Sequence, residues 1–554
     1  MVCTLTYIYC TVIIPDLEQF DFIVVGAGSA GSVVAARLAA AHFSVLLVEA
    51  GGDPPQESLT PGLLGFLPHT RYDWNYTNEN DNYSFQCHRT MTANLTSGRM
   101  LGGGSSINYM VYVRGCPDDF NPWAAAVHDP TWSWSGVLPY FIKSENLNDA
   151  EINSLPLSEY HGSGGFLGVT RHVNCSAVKY LKSFQELGNN LLLDINADCQ
   201  LGYTYPMVTI NDGVRQSTAF TILAAHKNDP HLKVLKETFV TKIVLDENNN
   251  AIGIEAVNNN KEIELRARRE VIVSAGALNT PRLLMLSGIG PKIHLESFNI
   301  PAKSDLPVGM NLQDHVPIMM SIKLEESTEP PPAIDPRRFP FDTFTGYVAL
   351  NKSQTCSDYQ SINFIVPNDS DGILNLCVFN FGYDFEICQK FYDAGKGRRT
   401  LFTTLGLLHP YSRGRVLLRS TNPSDPPIIQ GGYLSDDRDL EIIVDSMIDF
   451  VKVLNTTYFK SINAEMVDLD LPACRNLPNW SREWWRCYSK CLMSTLYHYS
   501  GTCSLGSVVD SHLRVFGVKR LRVVDASIMP ELVSANTNAA AIMIGTSTSY
   551  CSLR

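Results

Sequence analysis

The sequence predicts an α/β protein in which a parallel-sheet domain is joined to a second lobe of mixed sheet and helix. Three observations carry this prediction. A buried-strand pattern near residue 20 runs into a glycine-rich turn, and a similar strand–turn–helix pattern recurs between Glu270 and Gly290. From about residue 305 to 490 the chain changes to proline-rich loops, short strands and an amphipathic helix. At 554 residues the chain is long enough for two packed domains.

The first element group is a complete βαβ unit. Its predicted strand, helix and second strand are Phe22–Val25, Ser32–Ala41 and Val45–Glu49. Gly26, Gly28 and Gly31 lie between the first two, at the spacing that permits a tight turn, the approach of a pyrophosphate and helix–strand packing. Glu49 ends the second strand, where it can accept hydrogen bonds from a ribose diol. The unit predicts a Rossmann-like dinucleotide site and does not by itself distinguish NAD from FAD.

Composition and charge narrow the class of protein. Hydrophobic residues make up 45% of the chain and charged residues 18%, which is typical of a globular protein. The net charge of −12 argues against nucleic acid or acidic membranes as partners, so a neutral small molecule fits better. No segment offers about 18 uninterrupted apolar residues, so we predict no membrane span. The uncharged run Met1–Pro15 lacks the basic region of a signal peptide, which leaves a processed end or a packed strand as interpretations.

Cysteines and glycosylation motifs favour an oxidising compartment. The chain has 14 cysteines, and Cys474, Cys487 and Cys491 are close enough for local pairing, although the sequence cannot assign pairs. The Asn-x-Ser/Thr motifs are Asn75, Asn82, Asn94, Asn174, Asn351, Asn368, Asn455 and Asn479. We therefore predict a secreted, disulfide-bonded glycoprotein. No pair of motifs has zinc-ligand spacing, so no metal site is predicted.

A second glycine cluster follows the first unit. The stretch Gly51–Pro122 has few periodic segments and predicts extended coil over a cofactor. Within it, Gly98–Asn108 (Gly-Arg-Met-Leu-Gly-Gly-Gly-Ser-Ser-Ile-Asn) lets backbone amides crowd an anion or a flat ring, and Asn108 offers both a donor and an acceptor. A flexible linker is the alternative, but Met100, Leu101 and Ile107 are too apolar for one.

The next elements return to the sheet and then form the second lobe. Strands are predicted at Leu232–Leu235, Val240–Leu245, Ala251–Val257, Ile263–Ala267 and Glu270–Val273. Thr280-Pro281 then opens a helix that Ser287-Gly288 closes. In the second lobe, prolines crowd Glu329–Pro332, strands are predicted at Leu374–Phe381 and Arg415–Leu418, and Asp437–Leu454 predicts a helix with a core-facing apolar stripe.

The C-terminal segment holds the candidate chemistry. His498 lies in a Gly/Ser-rich turn, and its ordinary pKa near 6.5 suits a general base at neutral pH. Asn536 and Asn538 bracket a second turn, where asparagine can contact a ligand or cap the apolar helix Ala539–Ile544. Taken singly, each of these residues has an equally ordinary structural interpretation.

Read together, the motifs resemble those of the glucose–methanol–choline (GMC) family of FAD oxidoreductases along nearly the whole chain. The motifs that carry the resemblance are Gly26-x-Gly28-x-x-Gly31 with Glu49, Gly98–Asn108 continuing to Tyr112-Val-Arg-Gly115, Gly276–Gly290, Pro307–His315, His409–Arg415, and His498 with Asn536. The resemblance implies FAD as cofactor and the GMC fold. It implies an FAD-binding domain at 18–300, a substrate-binding domain at 301–490, and a return to the FAD-binding domain at 491–554.

The resemblance also implies roles for individual residues. The residue matching His498 accepts the substrate hydroxyl proton beside the flavin N5 edge, and the position matching Asn536 hydrogen-bonds the same oxygen. Asp525 and the amides around Asn538 are expected near the ribityl chain and the pyrimidine end of the flavin. The cofactor contacts we predict are Gly26, Gly28, Ser29, Ala30, Gly31, Glu49, Ala50, Arg99, Gly102, Gly103, Ser105, Asn108, Val111, Val240, Asp525, Ala526 and Asn538.

The sequence departs from the family pattern in three places. Gly104 stands where many members have Ser or Cys, and Ile107 stands where some members carry a histidine that bonds covalently to flavin. We therefore expect non-covalent FAD. After Met543 the sequence Thr546–Tyr550 replaces the usual charged C-terminal helix, which predicts a truncated helix.

The predicted reaction is oxidation of a small, aromatic alcohol or cyanohydrin, with O2 or another electron acceptor reoxidising the FAD. Asp73–Thr77 and Ile107–Gly115 are similar to the arthropod glucose-dehydrogenase-like and mandelonitrile-oxidase-like branch, and Trp74 and Tyr497 permit an aromatic-lined pocket. A hydroxynitrile lyase stays open because the short link Cys503–Asp510 is similar to that of plant lyases, and a sugar (glucose) dehydrogenase also stays open. A non-enzymatic flavoprotein is disfavoured by the intact His498 and Asn536.

Overall fold

The computed structural model describes residues 17–197, 200–329, 333 and 335–551. A seven-stranded sheet forms the first domain. Its strands in spatial order are Leu232–Leu235, Val45–Val48, Gln19–Val25, Lys261–Val273, Ala251–Asn258 and Thr238–Leu245, with Leu521–Val523 paired to the end of Lys261–Val273. The strands around Gln19–Val25 run parallel and are buried on both faces, which explains their continuous Val, Ile and Leu runs.

The predictions for this sheet are largely confirmed. Leu232–Leu235 has the predicted bounds, and the strand predicted from Val240 begins at Thr238. The two strands predicted at Ile263–Ala267 and Glu270–Val273 are one continuous strand, Lys261–Val273. Its first half pairs antiparallel with Ala251–Asn258, and its second half pairs parallel with Gln19–Val25.

Three helices pack on one another in the first domain. They are Ser29–Ala40, Asn538–Cys551 and Trp134–Ser144, packed in that order. The first begins at Ser29 rather than at the predicted Ser32, directly after the glycine turn. The C-terminal helix, predicted at Ala539–Ile544, spans Asn538–Cys551. That it is shorter than the C-terminal helix of the family stays a prediction. The helix opened by Thr280-Pro281 spans Thr280–Leu286, as predicted.

An antiparallel six-stranded sheet forms the second lobe. Its strands in spatial order are Glu465–Met466, Val316–Glu326, Arg398–Leu407, Tyr359–Val366, Asp342–Val348 and Gly202–Thr204. The helices Val178–Glu186, Asp437–Phe450 and Arg482–Leu492 pack against it. The predicted helix Asp437–Leu454 thus ends at Phe450 and continues as the 3₁₀ turn Val451–Asn455. Gly202–Thr204 is a strand of this sheet although it precedes residue 301, the predicted start of the substrate-binding domain. The domain limits themselves stay a prediction.

The strand predicted at Leu374–Phe381 was wrong. This segment is helical, with an α-helical turn Gly372–Leu374 followed by the π-helix Asn375–Asn380. Its buried residues, Ile373, Leu376, Cys377 and Asn380, recur at the three- and four-residue spacing of a helix rather than at period two. The nearby Glu329–Pro332 prediction lies largely outside the described residues, as does Met1–Pro15.

Shorter elements complete the fold. The small strand pairs are Tyr76–Thr77 with Asn94–Leu95, Ile210–Asn211 with Val214–Arg215, Ile289–Gly290 with Ser304–Asp305, and Arg415–Leu417 with Ile428–Gln430, and one three-stranded sheet joins Glu145–Leu147, Leu167–Arg171 and Met207–Val208. The remaining α-helices are Gln56–Leu59, Asn121–Val127, Ala150–Asn153, Lys292–Ser297, Phe385–Ala394 and Thr457–Ser461. The 3₁₀ and π turns are Pro61–Phe66, Gly103–Ser106, Pro117–Phe120, Pro130–Trp132, Pro156–Tyr160, Cys175–Ala177, Ala219–Leu223 and Ala526–Ile528.

Four disulfides join described cysteines. They are Cys87–Cys491, Cys116–Cys356, Cys377–Cys388 and Cys474–Cys487. Of the three cysteines expected to pair locally, Cys474 and Cys487 do so, and Cys491 instead bonds Cys87 across 404 residues of sequence. The only three-residue group of potential metal ligands among the described residues contains Cys116 and Cys356, which are already bonded to each other. None of the described helices is long and apolar enough to span a bilayer.

Candidate active site

One wall of the candidate site is the turn between Gln19–Val25 and Ser29–Ala40. A Cβ on Gly31 would lie 2.0 Å from the Gly26 carbonyl oxygen, so only glycine fits there. A Cβ on Gly28 would meet no atom within 4 Å, because this residue faces a cavity of about 310 Å³. The helix begins directly after Gly28 without a side-chain cap, so its N-terminal amides stay available to an anion in the cavity.

Glu49 stands beside this turn and is buried. Its two carboxylate oxygens accept hydrogen bonds from the Ala27 and Gly51 amides, both at 2.9 Å. Burial raises the pKa of Glu49, while these amides and Arg99 act in the opposite direction. The amides fix the carboxylate in the cavity wall, and its remaining lone pairs are acceptors for a diol.

The second glycine cluster forms the adjoining wall, and a buried arginine holds it. Arg215 donates to the carbonyl oxygens of Ser58, Ser105 and Asn108 and to Asn108 Oδ1. Burial lowers the pKa of Arg215 to about 9. Asn108 Oδ1 also accepts from the Met110 amide, so both acceptor directions of the amide oxygen are used. Asn108 lines the cavity and therefore offers it the Nδ2 donor.

The ends of two further parallel strands complete this side of the cavity. Asp525 follows the Leu521–Val523 strand, and its Oδ2 accepts from the Gly276 amide at 2.9 Å and from Thr280 Oγ1 at 2.6 Å. A Cβ on Gly276 would meet no atom within 4 Å and would enter the cavity. The carboxyl ends of parallel strands thus meet at one crevice, the usual ligand position in such sheets.

His498 and Asn536 meet at the other end of the cavity. Nε2 of His498 lies 3.3 Å from Nδ2 of Asn536, and both residues line the cavity. Nδ1 of His498 lies 2.8 Å from Nδ1 of His315. The backbone amide of His498 donates to Asp314 Oδ1 at 2.8 Å. Burial lowers the pKa of His498 to about 3, so the ordinary value near 6.5 that we expected from sequence does not hold in this environment.

The second lobe supplies a mostly apolar wall next to this pair. Its cavity-lining residues are Phe339, Thr343, Ile362, Phe364, Phe381 and Thr404. Trp74 and Tyr497 also line the cavity, as the sequence suggested. Asn380 links two aromatic residues of this wall, because its Nδ2 donates to the Tyr109 hydroxyl and its carbonyl oxygen accepts from the Tyr497 hydroxyl, both at 2.7 Å.

Comparison with known proteins identifies the architecture. The two sequence profiles described as GMC oxidoreductase match residues 20–317 and 410–545. The chain belongs to the GMC oxidoreductase family. Within it, the chain is 38% identical to an ecdysone oxidase of Bombyx mori over 95% of this chain and 80% of that protein. It is 32% identical to a glucose dehydrogenase [FAD, quinone] of Drosophila melanogaster over 97% of this chain and 87% of that protein.

The fold agrees with this membership. The crystal structure of pyridoxine 4-oxidase from Mesorbium loti superposes with a TM-score of 0.80 at 27% identity, over 96% of this chain and 98% of that one. GMC oxidoreductases are FAD-dependent enzymes that act on CH–OH groups, and this protein is such an enzyme. FAD fits the residues present, because Gly28, Gly104 and Gly276 line the cavity where a Cβ would meet no other atom.

The GMC cavity brings together most of the residues predicted from sequence. Those that line it are Gly26, Gly28, Ser29, Ala30, Glu49, Ala50, Gly103, Asn108, Val111, Val240, Asp525, Ala526 and Asn538, together with His498 and Asn536. Asn538 starts the C-terminal helix, and its Oδ1 accepts from Ser29 Oγ at 2.7 Å. Contact of each lining residue with FAD stays a prediction.

Four predicted cofactor residues are not among those that line the cavity. Gly31 packs on Gly26, and the Gly102 amide donates to the Ala27 carbonyl oxygen at 2.7 Å. Ser105 Oγ accepts from the Thr218 amide, and the Arg99 guanidinium lies 4.9 Å from the Trp74 ring centroid. These contacts support the residues of the wall. Spacing within a motif cannot distinguish residues that line the cavity from residues that support its wall.

Sequence reasoning missed His315 and Arg215. His315 ends the Pro307–His315 motif, which supported the family resemblance, but the sequence predicted no function for His315 itself. No function was predicted for Arg215 either. The available hint for Arg215 was a lone arginine in an otherwise uncharged stretch between Gly213 and Ala225.

Proposed function

We propose that the protein oxidises an alcohol carbon on a substrate with an apolar body, with His498 as the base and Asn536 as a hydrogen-bond donor to the same oxygen. The observation that carries this proposal is the contact of His498 Nε2 with Asn536 Nδ2 at the cavity wall, next to the apolar lining of the second lobe. When bound, FAD supplies the two-electron acceptor for the hydride.

The chemistry needs both side chains. Removal of a hydride from carbon becomes easy as the alcohol oxygen gains alkoxide character, so a base must take the hydroxyl proton as the hydride leaves. Burial keeps His498 neutral, which gives Nε2 a lone pair for that proton. The Asn536 amide, which lines the same cavity, then donates to the developing negative charge on oxygen.

The apolar lining favours an aromatic or otherwise apolar alcohol over a sugar. Phe339, Phe364 and Phe381 offer no hydrogen-bond partner, whereas each hydroxyl of a sugar would need one. Small aromatic alcohols and cyanohydrins therefore stay our first candidates. A second candidate is an alcohol group of an ecdysone-like steroid, because an ecdysone oxidase is 38% identical to the chain and the fused-ring skeleton of a steroid is apolar.

FAD is proposed to bind without a covalent bond. Ile107, 6% exposed, lines the cavity in the position where a histidine would be needed, and an alkyl side chain has no nucleophile. Acid precipitation should release all the flavin into the supernatant. Flavin fluorescence that migrates with the denatured polypeptide would contradict this proposal.

Anaerobic mixing with a substrate panel tests the reaction. The panel contains benzylic alcohols, mandelonitrile, ecdysone and glucose, and the readout is bleaching of the oxidised flavin absorbance. We expect bleaching by an aromatic alcohol, a cyanohydrin or ecdysone, and none by glucose. A hydroxynitrile lyase would cleave mandelonitrile with the flavin still oxidised, so cyanide release without bleaching would refute oxidation. Peroxide release in air would identify O2 as the acceptor.

Secretion and glycosylation are proposed from the disulfides and the exposed Asn-x-Ser/Thr motifs. Asn82, Asn351, Asn455 and Asn479 are exposed. Two other motifs are buried and engaged: Nδ2 of Asn174 donates to the Thr343 carbonyl oxygen, and Nδ2 of Asn368 donates to that of Glu329, both at 3.0 Å. Peptide mapping of protein from a secreting eukaryotic host should find glycans on the exposed asparagines and none on Asn174 and Asn368. Absence of glycan at every motif would argue against secretion.

A further inference from the structure

His498 has two ring nitrogens, and its role depends on which one carries the proton. A neutral imidazole donates at one nitrogen and accepts at the other. Nε2 lies beside Asn536 in the cavity wall, and Nδ1 faces His315 in the interior. His498 accepts a substrate proton at Nε2 only if the proton of the neutral ring resides on Nδ1.

The contacts of His315 determine its own protonation. His315 is fully buried, and its Nε2 lies 3.0 Å from the Leu408 carbonyl oxygen. A carbonyl oxygen can only accept, so Nε2 carries the proton. Burial, followed by the neighbouring His498 and His409, lowers the pKa of His315 well below its usual range. The ring is therefore neutral, and its Nδ1 is an acceptor.

A second carbonyl does not change this assignment. The Val533 carbonyl also faces the His315 ring, but the Leu408 oxygen is the carbonyl that meets hydrogen-bond geometry with a His315 nitrogen among the described residues. If Nδ1 of His315 carried the proton instead, its Nε2 lone pair would face the Leu408 oxygen at 3.0 Å, and two acceptors would oppose each other in a buried site.

We infer that His315 is a positioning residue whose Nδ1 accepts the Nδ1–H of His498 and thereby leaves the Nε2 lone pair of His498 facing the cavity. This inference rests on the proposed function, in which His498 is the base. Asn536 supports it independently, because its Nδ2 donor faces His498 Nε2 and a donor needs an acceptor there.

Asp314 fixes the backbone of the same histidine. Its Oδ1 accepts from the His498 amide at 2.8 Å, while Oδ2 accepts from the Tyr433 hydroxyl at 2.7 Å and from Thr495. The dipeptide Asp314–His315 thus holds His498 by its amide and by its ring. The two imidazoles are perpendicular, with centroids 5.0 Å apart, so they meet through their edges.

A neutral partner suits a base that must stay unprotonated until substrate binds. A carboxylate behind His498 would favour the imidazolium before reaction. Neutral His315 instead orients the ring without adding charge. It keeps the same hydrogen bond when Nε2 gains the substrate proton, because Nδ1–H is a donor in both states of His498.

Two substitutions at 315 separate this role from simple packing. In His315→Asn the amide oxygen can occupy the position of Nδ1 and accept from His498, whereas His315→Leu fills a similar volume without an acceptor. We expect anaerobic flavin reduction to slow by about 10- to 100-fold in His315→Leu, by analogy with the losses found when the hydrogen-bond partner of a metal-ligating histidine is removed. His315→Asn should recover most of this rate, with FAD bound and the apparent substrate Kd little changed in both variants.

His88 supplies the matched control. It is 2% exposed, its Nε2 contacts the Met493 carbonyl oxygen at 2.9 Å, and its side chain does not hydrogen-bond His498. His88→Leu removes a buried histidine in the same way and should lower the melting temperature while leaving the rate of flavin reduction unchanged. A rate loss in His88→Leu equal to that in His315→Leu would assign the effect to packing.

Nitrogen NMR reads the protonation directly. The chain has 13 histidines, and in protein labelled with ¹⁵N-histidine the His498 signals are those lost in His498→Ala. We expect a protonated Nδ1 and an unprotonated Nε2 in the wild type, and a mixture of the two forms in His315→Leu. A protonated Nε2 in the wild type overturns the inference.

The experiments also distinguish this inference from the proposed function. If His498→Ala reduces its flavin slowly but His315→Leu reduces it at the wild-type rate, the role of His315 alone is overturned. If His498→Ala itself reduces flavin at near the wild-type rate, the base assignment fails and the role of His315 fails with it.

Discussion

The two ends of the cavity are built from different kinds of chemical group. At the end where we propose that FAD binds, the cofactor end, the wall is mainly backbone: Gly28 and Gly276 leave space, the Ser29–Ala40 helix offers its amides, and Glu49 is held by two amides. At the end where we propose that the chemistry occurs, the catalytic end, the wall is made of buried side chains, where His498 contacts His315 and Asn536.

This difference distinguishes what cofactor binding requires of the protein from what the chemical step requires. Backbone groups keep their hydrogen-bonding capacity whatever side chains surround them. The cofactor end therefore depends on open space in the cavity and tolerates few added side-chain atoms. The catalytic end depends on the proton positions of particular rings and amides, so it tolerates changes of shape better than changes of donor or acceptor. Substitutions at the two ends should therefore fail in different measurements.

The largest effect is expected at the cofactor end. Gly28→Glu adds a side chain where a Cβ projects into the cavity, and its carboxylate would repel the pyrophosphate. We expect a folded, colourless protein without bound FAD, judged by flavin absorbance and circular dichroism. Gly164→Glu is the control, since Gly164 is exposed and also has no atom within 4 Å of a built Cβ. A yellow Gly28→Glu protein would contradict the assignment of this turn.

At the catalytic end, His498→Ala should leave FAD bound and slow its reduction. Loss of a general base typically costs 10²–10⁴-fold, so we expect a decrease of at least about 10²-fold in the limiting rate from stopped-flow reduction. The flavin absorbance of the purified variant should match that of the wild type. Near wild-type reduction would return His498 to a structural role.

The cofactor end could be predicted from sequence because its parts are local. The strand, the glycine turn and Glu49 lie within one βαβ unit, and the spacing of its three glycines can be recognised within that unit. The strand Leu232–Leu235 and parts of the strand Lys261–Val273 were also predicted, since their apolar residues recur at the alternating or continuous spacing of a strand.

The catalytic end could be predicted only in part. His315 lies 183 residues from His498, and nothing in either motif indicates that their rings meet. The disulfide between Cys87 and Cys491 spans 404 residues for the same reason. The apolar wall includes Phe381, the last residue of the segment Leu374–Phe381 that we predicted as a strand. That prediction was wrong because helical and extended periods are hard to separate in a short apolar run.

A smaller effect is expected for Asn536→Ala. The variant loses one neutral donor to the substrate oxygen, while His498 keeps its base position. We expect the rate of flavin reduction to fall by about 10- to 100-fold, or ~1.4–2.7 kcal/mol, at the low end of the losses measured for oxyanion donors. Asn536→Asp, which has the same shape but lacks the donor, should lose at least as much. Equal rates in Asn536→Ala and the wild type would remove Asn536 from the chemistry.

The smallest expected effect is that of pH on the wild-type rate. Burial lowers the pKa of His498 to about 3, so the base is unprotonated at any pH well above that value and loses its lone pair only as pH falls toward it. An ordinary histidine with a pKa near 6.5 would lose about tenfold in rate by pH 5.5. We expect the limiting rate of flavin reduction to change by less than about twofold between pH 6 and 9.

The groups that face His498 define how this pH profile is interpreted. His315 is also held neutral by burial, and Asn536 does not titrate, which leaves Asp314, whose pKa burial raises to about 6. A step near pH 6 that disappears in Asp314→Asn would therefore report the carboxylate that holds the His498 amide. A step that survives Asp314→Asn and disappears in His498→Ala would mean that His498 titrates near its ordinary value. In that case charge and solvent would set the protonation of His498, as they do for an exposed histidine. The contrast between the two ends of the cavity would then be smaller than the buried contacts indicate.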